Sequence, residues 1–516
     1  MAVVRFEKEY VYKLFSKKDL ELLPNLGVQV ENKEEQIEFE INPDRPDLLS
    51  IYGLKRMVEV YKTKKPREYK LESEKIYGDI VVDKSVKDLR PFIVGAVVKD
   101  VVMTEEDLVD LMQFQEKIHL TFGRKRKKIA VGLHDLDTIE FPLKYYKSQL
   151  NKVKFIPLDE TKEMNSLEIV EKTEKGIKYA ELTKNNEGVF LEDQKGIVSF
   201  PPIINAERTR LKPGKRNIFI DMTGTDEKAL VGALNITLTL LAEMGGKIHP
   251  IKIGKITYPD LDSKKYKLPT KFIKTFIDKK LSKKETEELL NSMGFELKKD
   301  YVLPPTYRID IIGPVDIAED MLIAYGYDNI TPTFPKISTV GEGLKDHCFH
   351  DILTGLGFME IMTWTLTNKE KLAMCRIKLD KLLEIINPLS EDCTLFRPLL
   401  MPGIMGVLAE SKKISMPHKI YEIGTVVEPE RKILGAAMCY PGATFSHISS
   451  VVQSLIKESG KEIHILPHED TRFIEGRCAI LIHEKIAVGI FGEVHPEIID
   501  NFGIEQPVLY LETELW

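Results

Sequence analysis

The chain is 516 residues long, 43% hydrophobic and 30% charged, with a formal net charge of −6. That composition suits several globular cores and excludes a uniformly basic nucleic-acid binder, so any RNA contact has to come from a local patch. No run of about 18 apolar residues predicts a membrane span, and the N-terminus MAVVRFEKEYVY, with its acidic residues and no apolar core, reads as neither signal nor transit peptide.

At about 100–200 residues per domain the length predicts three to four domains. Residues 1–85 predict an N-terminal α/β domain. Within it IEFEINPDRPDLLSIYGLKRMVEVY reads as a strand, a Pro-rich turn and an amphipathic helix, with Leu54, Met57, Val58 and Tyr61 at helical spacing. KTKKPREYK follows as a solvated linker. Residues 86–265 read as α+β. FIVGAVVKDVV and KIAVGLHDL have strand character, EEDLVDLMQFQEKIHLTF is helical, RNIFIDMTG is a strand entering a turn, and ALVGALNITLTLLAEMG is a long helix. Residues 266–336 form a smaller unit, whose helix SKKETEELLNSMG starts on a capping box, Ser282 with Glu285, and stops at Gly294. TPTFP breaks the pattern. Residues 340–516 mix helices with the strands KIYEIGTVV, GAAMCYPG and CAILIHEKIAVGIFGEV, which suits an antiparallel sheet flanked by helices. The fold class is α+β and multidomain.

The five cysteines, Cys348, Cys375, Cys393, Cys439 and Cys478, are odd in number, scattered and never in CxxC spacing. They predict neither disulfide framework nor zinc site, and a reducing, cytoplasmic setting. His347, Cys348 and His350 cluster without a second ligand pair, so they are not read as zinc ligands. P-loop, dinucleotide, zincin and hydrolase-elbow motifs are absent.

Asp316, Glu319 and Asp320 stand at i, i+3 and i+4, on one face near the first turn of the helix DIAEDMLIAY, and Asp310 lies just upstream after Arg308. Two accounts stay open. Asp316 as N-cap with Glu319 at the third position is a capping box at the end of a helix that favours acids. Capping does not use Asp310 or Asp320, and carboxylates this close repel unless a cation joins them. Oxygen donors without His or Cys suit Mg²⁺. GRKRKK, with Arg124, Lys125, Arg126 and Lys127, is the densest basic run. It is either a solvated loop or a phosphate contact. Asp221, Thr223, Gly224, Thr225 and Asp226 occupy a strand-end turn, and Ser199, Pro201, Pro202 and Asn205 a stiff loop. His134 reads as an ordinary strand-end histidine ahead of the alternative, a pocket residue, and His495 reads as structural.

YRIDIIGPVDIAEDMLIAYGYDNI closely resembles the segment with which phenylalanyl-tRNA synthetase beta subunits of the archaeal/eukaryotic type meet their alpha subunit. Four further stretches resemble that family in its order: NPDRPDLLSIYGL, GRKRKKIAVGLHDLD, SFPPIINAERTRL with RNIFIDMTGTD, and LTGLGFMEIMTWTLTN with FGEVHPEII. The resemblance implies an editing domain over 86–265, a small domain over 266–336 with magnesium at Asp310, Asp316, Glu319 and Asp320, and a catalytically inactive class II synthetase-like domain over 340–516. It implies an α2β2 complex with an alpha subunit and tRNA(Phe), using ATP and Mg²⁺ to attach phenylalanine. It also implies hydrolysis of mischarged tyrosyl-tRNA around Asp221, Thr223, Asn205 and Asp226, with the acceptor end near Arg124–Lys127. Class II activation uses an arginine with a nearby glutamate. Here Arg397 has no glutamate two residues on, and Arg477 lacks the Gly-rich pattern, so synthesis is expected in the alpha subunit. The alternatives are a stand-alone tRNA-editing hydrolase or tRNA-binding paralogue, and a scaffold whose editing site is dead.

Overall fold

The computed structural model describes residues 2–277, 281–332, 334, 341, 348–378, 381–427 and 429–516. The chain divides into two compact units, Met1–Phe334 and Pro335–Trp516. Among the described residues no helix is long and apolar enough to cross a membrane.

The first unit opens on a three-stranded antiparallel sheet ordered Ala2–Glu7, Gln36–Ile41, Gln29–Asn32. The central strand alternates: Ile37, Phe39 and Ile41 are buried while Gln36, Glu38 and Glu40 face outward, the period of two expected of a half-buried strand. A short turn, Pro46–Leu48, then feeds the helix Ile51–Thr63, which Ser50 caps by accepting from the Tyr52 amide. The turn sits against that helix so closely that a Cβ on Gly53 would lie 2.1 Å from the Asp47 carbonyl oxygen.

Two sheets follow. The four-stranded antiparallel one runs Lys247–His249, Phe92–Met103, Gly214–Gly224, Ile129–Asp135. A seven-stranded one runs Ile204–Asn205, Gly196–Phe200, Glu187–Asp193, Leu143–Gln149, Asp79–Val82, Ile251–Ile253, Ile256–Tyr258. Val94, Ala96 and Val98 of the long Phe92–Met103 strand join one core with Leu230, Leu234, Leu238 and Leu241 of the helix Glu227–Glu243. The helix Glu105–Leu120 begins with a Thr104/Asp107 capping box.

The small unit has three short strands, Tyr266–Lys267, Tyr301–Leu303 and Glu296–Lys298, with helices Thr270–Ile277, Lys283–Ser292 and Pro314–Tyr325. Ser282 and Glu285 cap each other reciprocally, as the pattern predicts. Gly294 takes the left-handed conformation (φ +83°) just past the helix end.

The second unit is built on a seven-stranded sheet ordered Met359–Glu360, His418–Val426, Arg431–Cys439, Val508–Glu514, Ile486–Val494, Phe473–His483, His464–Pro467, antiparallel except for its first pair. Strand alternation gives it two apolar faces. Leu434, Ala436 and Met438 join a core with Ile448, Val452 and Leu455 of the helix Phe445–Ser459. Ile433, Ala437 and Cys439 join another with Ile404, Met405 and Leu408 of the helix Met401–Glu410.

Polar contacts tie the N-terminal elements to the helix Glu105–Leu120. Asp107 accepts from the hydroxyls of Tyr10 (2.6 Å) and Tyr52 (2.8 Å). Asp110, wholly buried, accepts from Ser50 Oγ (2.9 Å) and the Ile51 amide (3.3 Å). Burial pushes the Asp110 carboxyl up to about 7. The fold therefore favours its protonated form. That contribution to stability is complete below the ordinary carboxylate value near ~4 and is lost as pH rises to about 7. Asp110→Asn keeps an acceptor oxygen and carries no charge. Urea unfolding of wild type and variant between about pH 5 and 8 is expected to show wild type losing stability relative to the variant as pH rises; parallel profiles contradict this.

Candidate functional site

A cleft of about 460 Å³, mouth included, opens between the helix Glu105–Leu120, the strands Ile129–Asp135 and Gly214–Gly224, the loop at 200–205 and the short helix Glu174–Tyr179. Asp221 lies on its floor, directly across from Gly132 on the neighbouring strand. The pairing explains the glycine: a Cβ at 132 would stand 2.2 Å from Asp221 Oδ1 and 2.7 Å from His134 Nε2. His134 is fully buried, stacks on Phe219, and binds Asp221 Oδ1 through Nε2 (2.6 Å) and Thr209 Oγ1 through Nδ1 (2.9 Å). It orients the carboxylate from behind and does not line the cleft. Asp221 Oδ2 has no protein partner among the described residues. Thr223, two residues on and on the same face, accepts from Arg90 Nε (2.8 Å), while Arg90 Nη1 donates to the Arg126 carbonyl (3.1 Å). Asn205 lines the opposite wall and reaches the Leu133 carbonyl at 3.4 Å.

The strand Ile129–Asp135 is the outermost of its sheet, so its outward peptide groups have no neighbouring strand. Gln115 and His119, one helical turn apart, supply what is missing. Gln115 Nε2 donates to the Val131 carbonyl (2.7 Å), and the Val131 amide donates to His119 Nε2 (2.8 Å). Burial pushes the His119 imidazole down to about 4, keeping Nε2 free of a proton so that it accepts. Neither residue stood out in the sequence, although their i, i+4 spacing was the available signal.

The basic run does not act as a unit. Arg124, Lys125 and Arg126 are three consecutive left-handed residues (φ 50°, 53° and 65°), and the turn sends them to different places. Arg126 goes inward. It is 9% exposed, donates to the carbonyls of Pro202 (3.1 Å) and Ile203 (3.0 Å), pairs with Glu116 (3.1 Å) and stacks over Tyr179. The expectation that Arg126 meets RNA phosphate is corrected: its guanidinium pins the Pro201–Pro202 wall of the cleft. Lys127 pairs with Glu181 (3.1 Å). Arg124 and Lys125 are exposed and have no partner among the described residues. Asp226 is also reassigned. It is the N-cap of the helix Glu227–Glu243, accepting from the Ala229 amide (3.0 Å) and pairing with Lys128 (3.1 Å), and it lies outside the cleft lining. Ser199 is buried with its Oγ unpartnered among the described residues.

Asp310, Asp316, Glu319 and Asp320 border one hollow of about 740 Å³ together with Asn42, Asp44 and Arg45. The cap differs from expectation. Pro314 takes the first helical position, Gly313 is the N-cap, and Asp316 at the third position accepts from the amides of Ile312 (2.7 Å) and Gly313 (2.8 Å). Arg308 grips Asp310 with two nitrogens (2.9 and 2.7 Å) and also binds Asp320. The donors are hard oxygens of the kind Mg²⁺ takes, but a guanidinium already supplies the charge between two of them. Among the described residues no three such groups converge into a cation cradle. Arg45 and Arg56 continue this network through Asp47 (2.9 and 3.2 Å), and Arg56 stacks over Tyr307.

In the second unit Arg397 is buried and spent on Glu422 (2.7 Å), Thr363 Oγ1 (2.7 Å) and the Thr425 carbonyl (2.9 Å). Arg477 pairs with Glu493 (2.8 Å). His495 caps the helix Pro496–Asn501, accepting from the Glu497 amide. His350 contacts the Tyr421 hydroxyl (3.1 Å), and His347 lies outside the described residues.

Residues 266–327 match the tRNA synthetase B5 domain, and residues 330–515 the phenylalanyl tRNA synthetase beta chain CLM domain. The chain is 35% identical to the phenylalanine–tRNA ligase beta subunit of Methanothrix thermoacetophila, over 96% of both chains. It is 36% identical to that of Archaeoglobus fulgidus, over 96% of this chain and 94% of the relative. An N-terminal fragment of the phenylalanyl-tRNA synthetase beta subunit of Pyrococcus horikoshii is similar in structure. Its TM-score is 0.58 at 34% identity, covering 63% of this chain and 99% of that one.

The two fates within the basic run predict opposite outcomes. Arg126→Met leaves two wall carbonyls without their donor, while Glu116 keeps His119, Tyr179 and Lys178, and is expected to cost about 1–3 kcal/mol in urea unfolding, whereas Arg124→Ala stays within about 0.5 kcal/mol of wild type. Equal effects contradict the assignment.

Proposed function

The chain belongs to the phenylalanine–tRNA ligase beta-subunit family, and from that premise we propose that it is the editing and scaffolding half of an α2β2 ligase acting in the cytoplasm. The alpha subunit binds ATP and attaches phenylalanine to tRNA(Phe). This chain removes tyrosine attached in error. The second unit, an inactive class II synthetase-like domain, serves assembly. Its two candidate phosphate-binding arginines, Arg397 and Arg477, are already neutralised by Glu422 and Glu493.

What supports the editing role is one observation: a buried carboxylate whose Oδ1 is fixed by His134 and whose Oδ2 faces a closed-floored cleft. Tyrosine and phenylalanine differ by one hydroxyl. A hydrophobic pocket rejects an added hydroxyl by only about 10²-fold, whereas a site built to hydrogen-bond it rejects the analogue lacking it by about 10⁴–10⁵. Asp221 Oδ2 accepts a hydrogen bond from the phenolic hydroxyl. With phenylalanine it stays desolvated and unpaired, so the correct product is spared. Thr223 and Asn205 position water at the ester. Arg124 and Lys125 remain the basic run's free cations for acceptor-end phosphate.

Magnesium at Asp310, Asp316, Glu319 and Asp320 belongs to the assembled complex. There Arg308 has to release Asp310 and Asp320 before their oxygens can turn to a metal.

Coexpression with the alpha subunit is expected to give phenylalanine attachment only from the pair. The same complex is expected to release tyrosine from tyrosyl-tRNA. Asp221→Ala should lower that release about 100-fold or more and leave phenylalanine attachment unchanged. Deacylation undiminished by Asp221→Ala removes the pocket assignment. Deacylation by this chain with no alpha complex formed favours an independent hydrolase.

A further inference from the structure

The cleft has two cationic side chains in its lining, Arg126 and Lys175. Arg126 is held by Glu116 and the loop carbonyls, with only its buried Nε unpartnered among the described residues, and His119 is neutral. Lys175 is half-buried and has no carboxylate or hydrogen-bond partner among the described residues. It is the cleft's available positive charge.

Its placement follows from the short helix Glu174–Tyr179. Lys175 and Tyr179 are four residues apart and share a face. Tyr179 is buried, lies under the Arg126 guanidinium and reaches Glu116 with its hydroxyl, which fixes that face toward the cleft. Gly176 holds the helix down from the other side, since a Cβ there would stand 1.9 Å from the Ile169 carbonyl oxygen. The anchor at Tyr179 thus presents Lys175 at the rim, while Asp221, the lining's only carboxylate, lies on the floor.

Resting on the editing reading above, we propose that Lys175 is a positioning residue: its ammonium holds the phosphate of the 3′-terminal nucleotide while the aminoacyl group reaches Asp221. A mobile, half-hydrated ammonium on a flexible stem suits a phosphate as a point charge. It does not suit a developing oxyanion, which needs donors fixed in a dry site.

The test uses the complex with its alpha subunit and two substrates, tyrosyl-tRNA and 2′(3′)-O-tyrosyl-adenosine, which keeps the ester and lacks the phosphate. Lys175→Gln is expected to raise KM for tyrosyl-tRNA about 5–10-fold with kcat unchanged. It should also reduce the slope of log(kcat/KM) against log salt by about 1, and leave tyrosyl-adenosine hydrolysis at the wild-type rate. Lys175→Arg restores most of the loss. An equal loss on both substrates, or an unchanged KM and salt slope, overturns the phosphate assignment alone. Wild-type complex inert toward tyrosyl-tRNA overturns the editing reading, and this inference with it.

Discussion

The first unit is organised around a buried alternation of charge. Arg45 and Arg56 share Asp47, and Arg308 shares Asp310 and Asp320. Burying so many ions costs several kcal/mol per ion after relaxation, and the cost is offset only when the partners are close and fully bonded. Here they are. Burial pushes the Asp47 carboxyl up, yet Arg45, Arg56 and Arg308 override it and hold it at about 2. A network of this kind specifies more than it stabilises, because removing one member strands the others in a dry interior. What it specifies is the register between the motif NPDRPD and the motif YRID, some 260 residues apart along the chain, and through them the seat of the helix Ile51–Thr63. That helix starts on Asp110 of the helix Glu105–Leu120 and carries Arg56 beneath Tyr307 of the small unit. The acidic hollow and the cleft are therefore set on one frame.

Within that frame, anchoring a substrate is left to the groups that structure does not consume. Around the cleft nearly every polar atom is occupied by backbone needs. Gln115, His119 and Asn205 serve the open edge of the outermost strand, Arg90 and Arg126 tie down the left-handed turn and the proline loop, and Asp226 caps a helix. Arg126 Nε and Ser199 Oγ are buried without a partner, and among the described residues Asp221 Oδ2 and the Lys175 ammonium remain. One is buried on the floor and the other half-buried at the rim.

The sequence was legible where the determining contacts are local. The Ser282/Glu285 capping box, the strand alternation at Ile37, Phe39 and Ile41, and the helical stripe of Leu54, Met57 and Val58 all depend on neighbours within a few residues. It was illegible where one residue had two local uses or a distant partner. Asp316 and Glu319 fit a capping box three residues too late, because Pro314 supplies a first helical position that needs no amide and moves the cap to Gly313. GRKRKK looked uniform because composition carries no φ; three left-handed residues turn Arg126 inward. His134 reads as structural from its strand-end place, but its partner Asp221 is 87 residues away and appears only when the two strands pair. Arg308 was visible beside Asp310, whereas its hold on Asp320 required the chain to close.

The second unit makes the complementary case. A sheet that activates an amino acid has to leave cations and helix amides free for phosphate. Here three buried or half-buried glutamates take them. Glu422 neutralises Arg397, and Glu493 neutralises Arg477 while accepting from the Phe445 amide at the start of one helix. Glu512 accepts from the amides of Leu400 and Met401 at the start of another. Each glutamate is built into a strand of the seven-stranded sheet. The same charge pairing ties both arginines and both helix starts to the sheet.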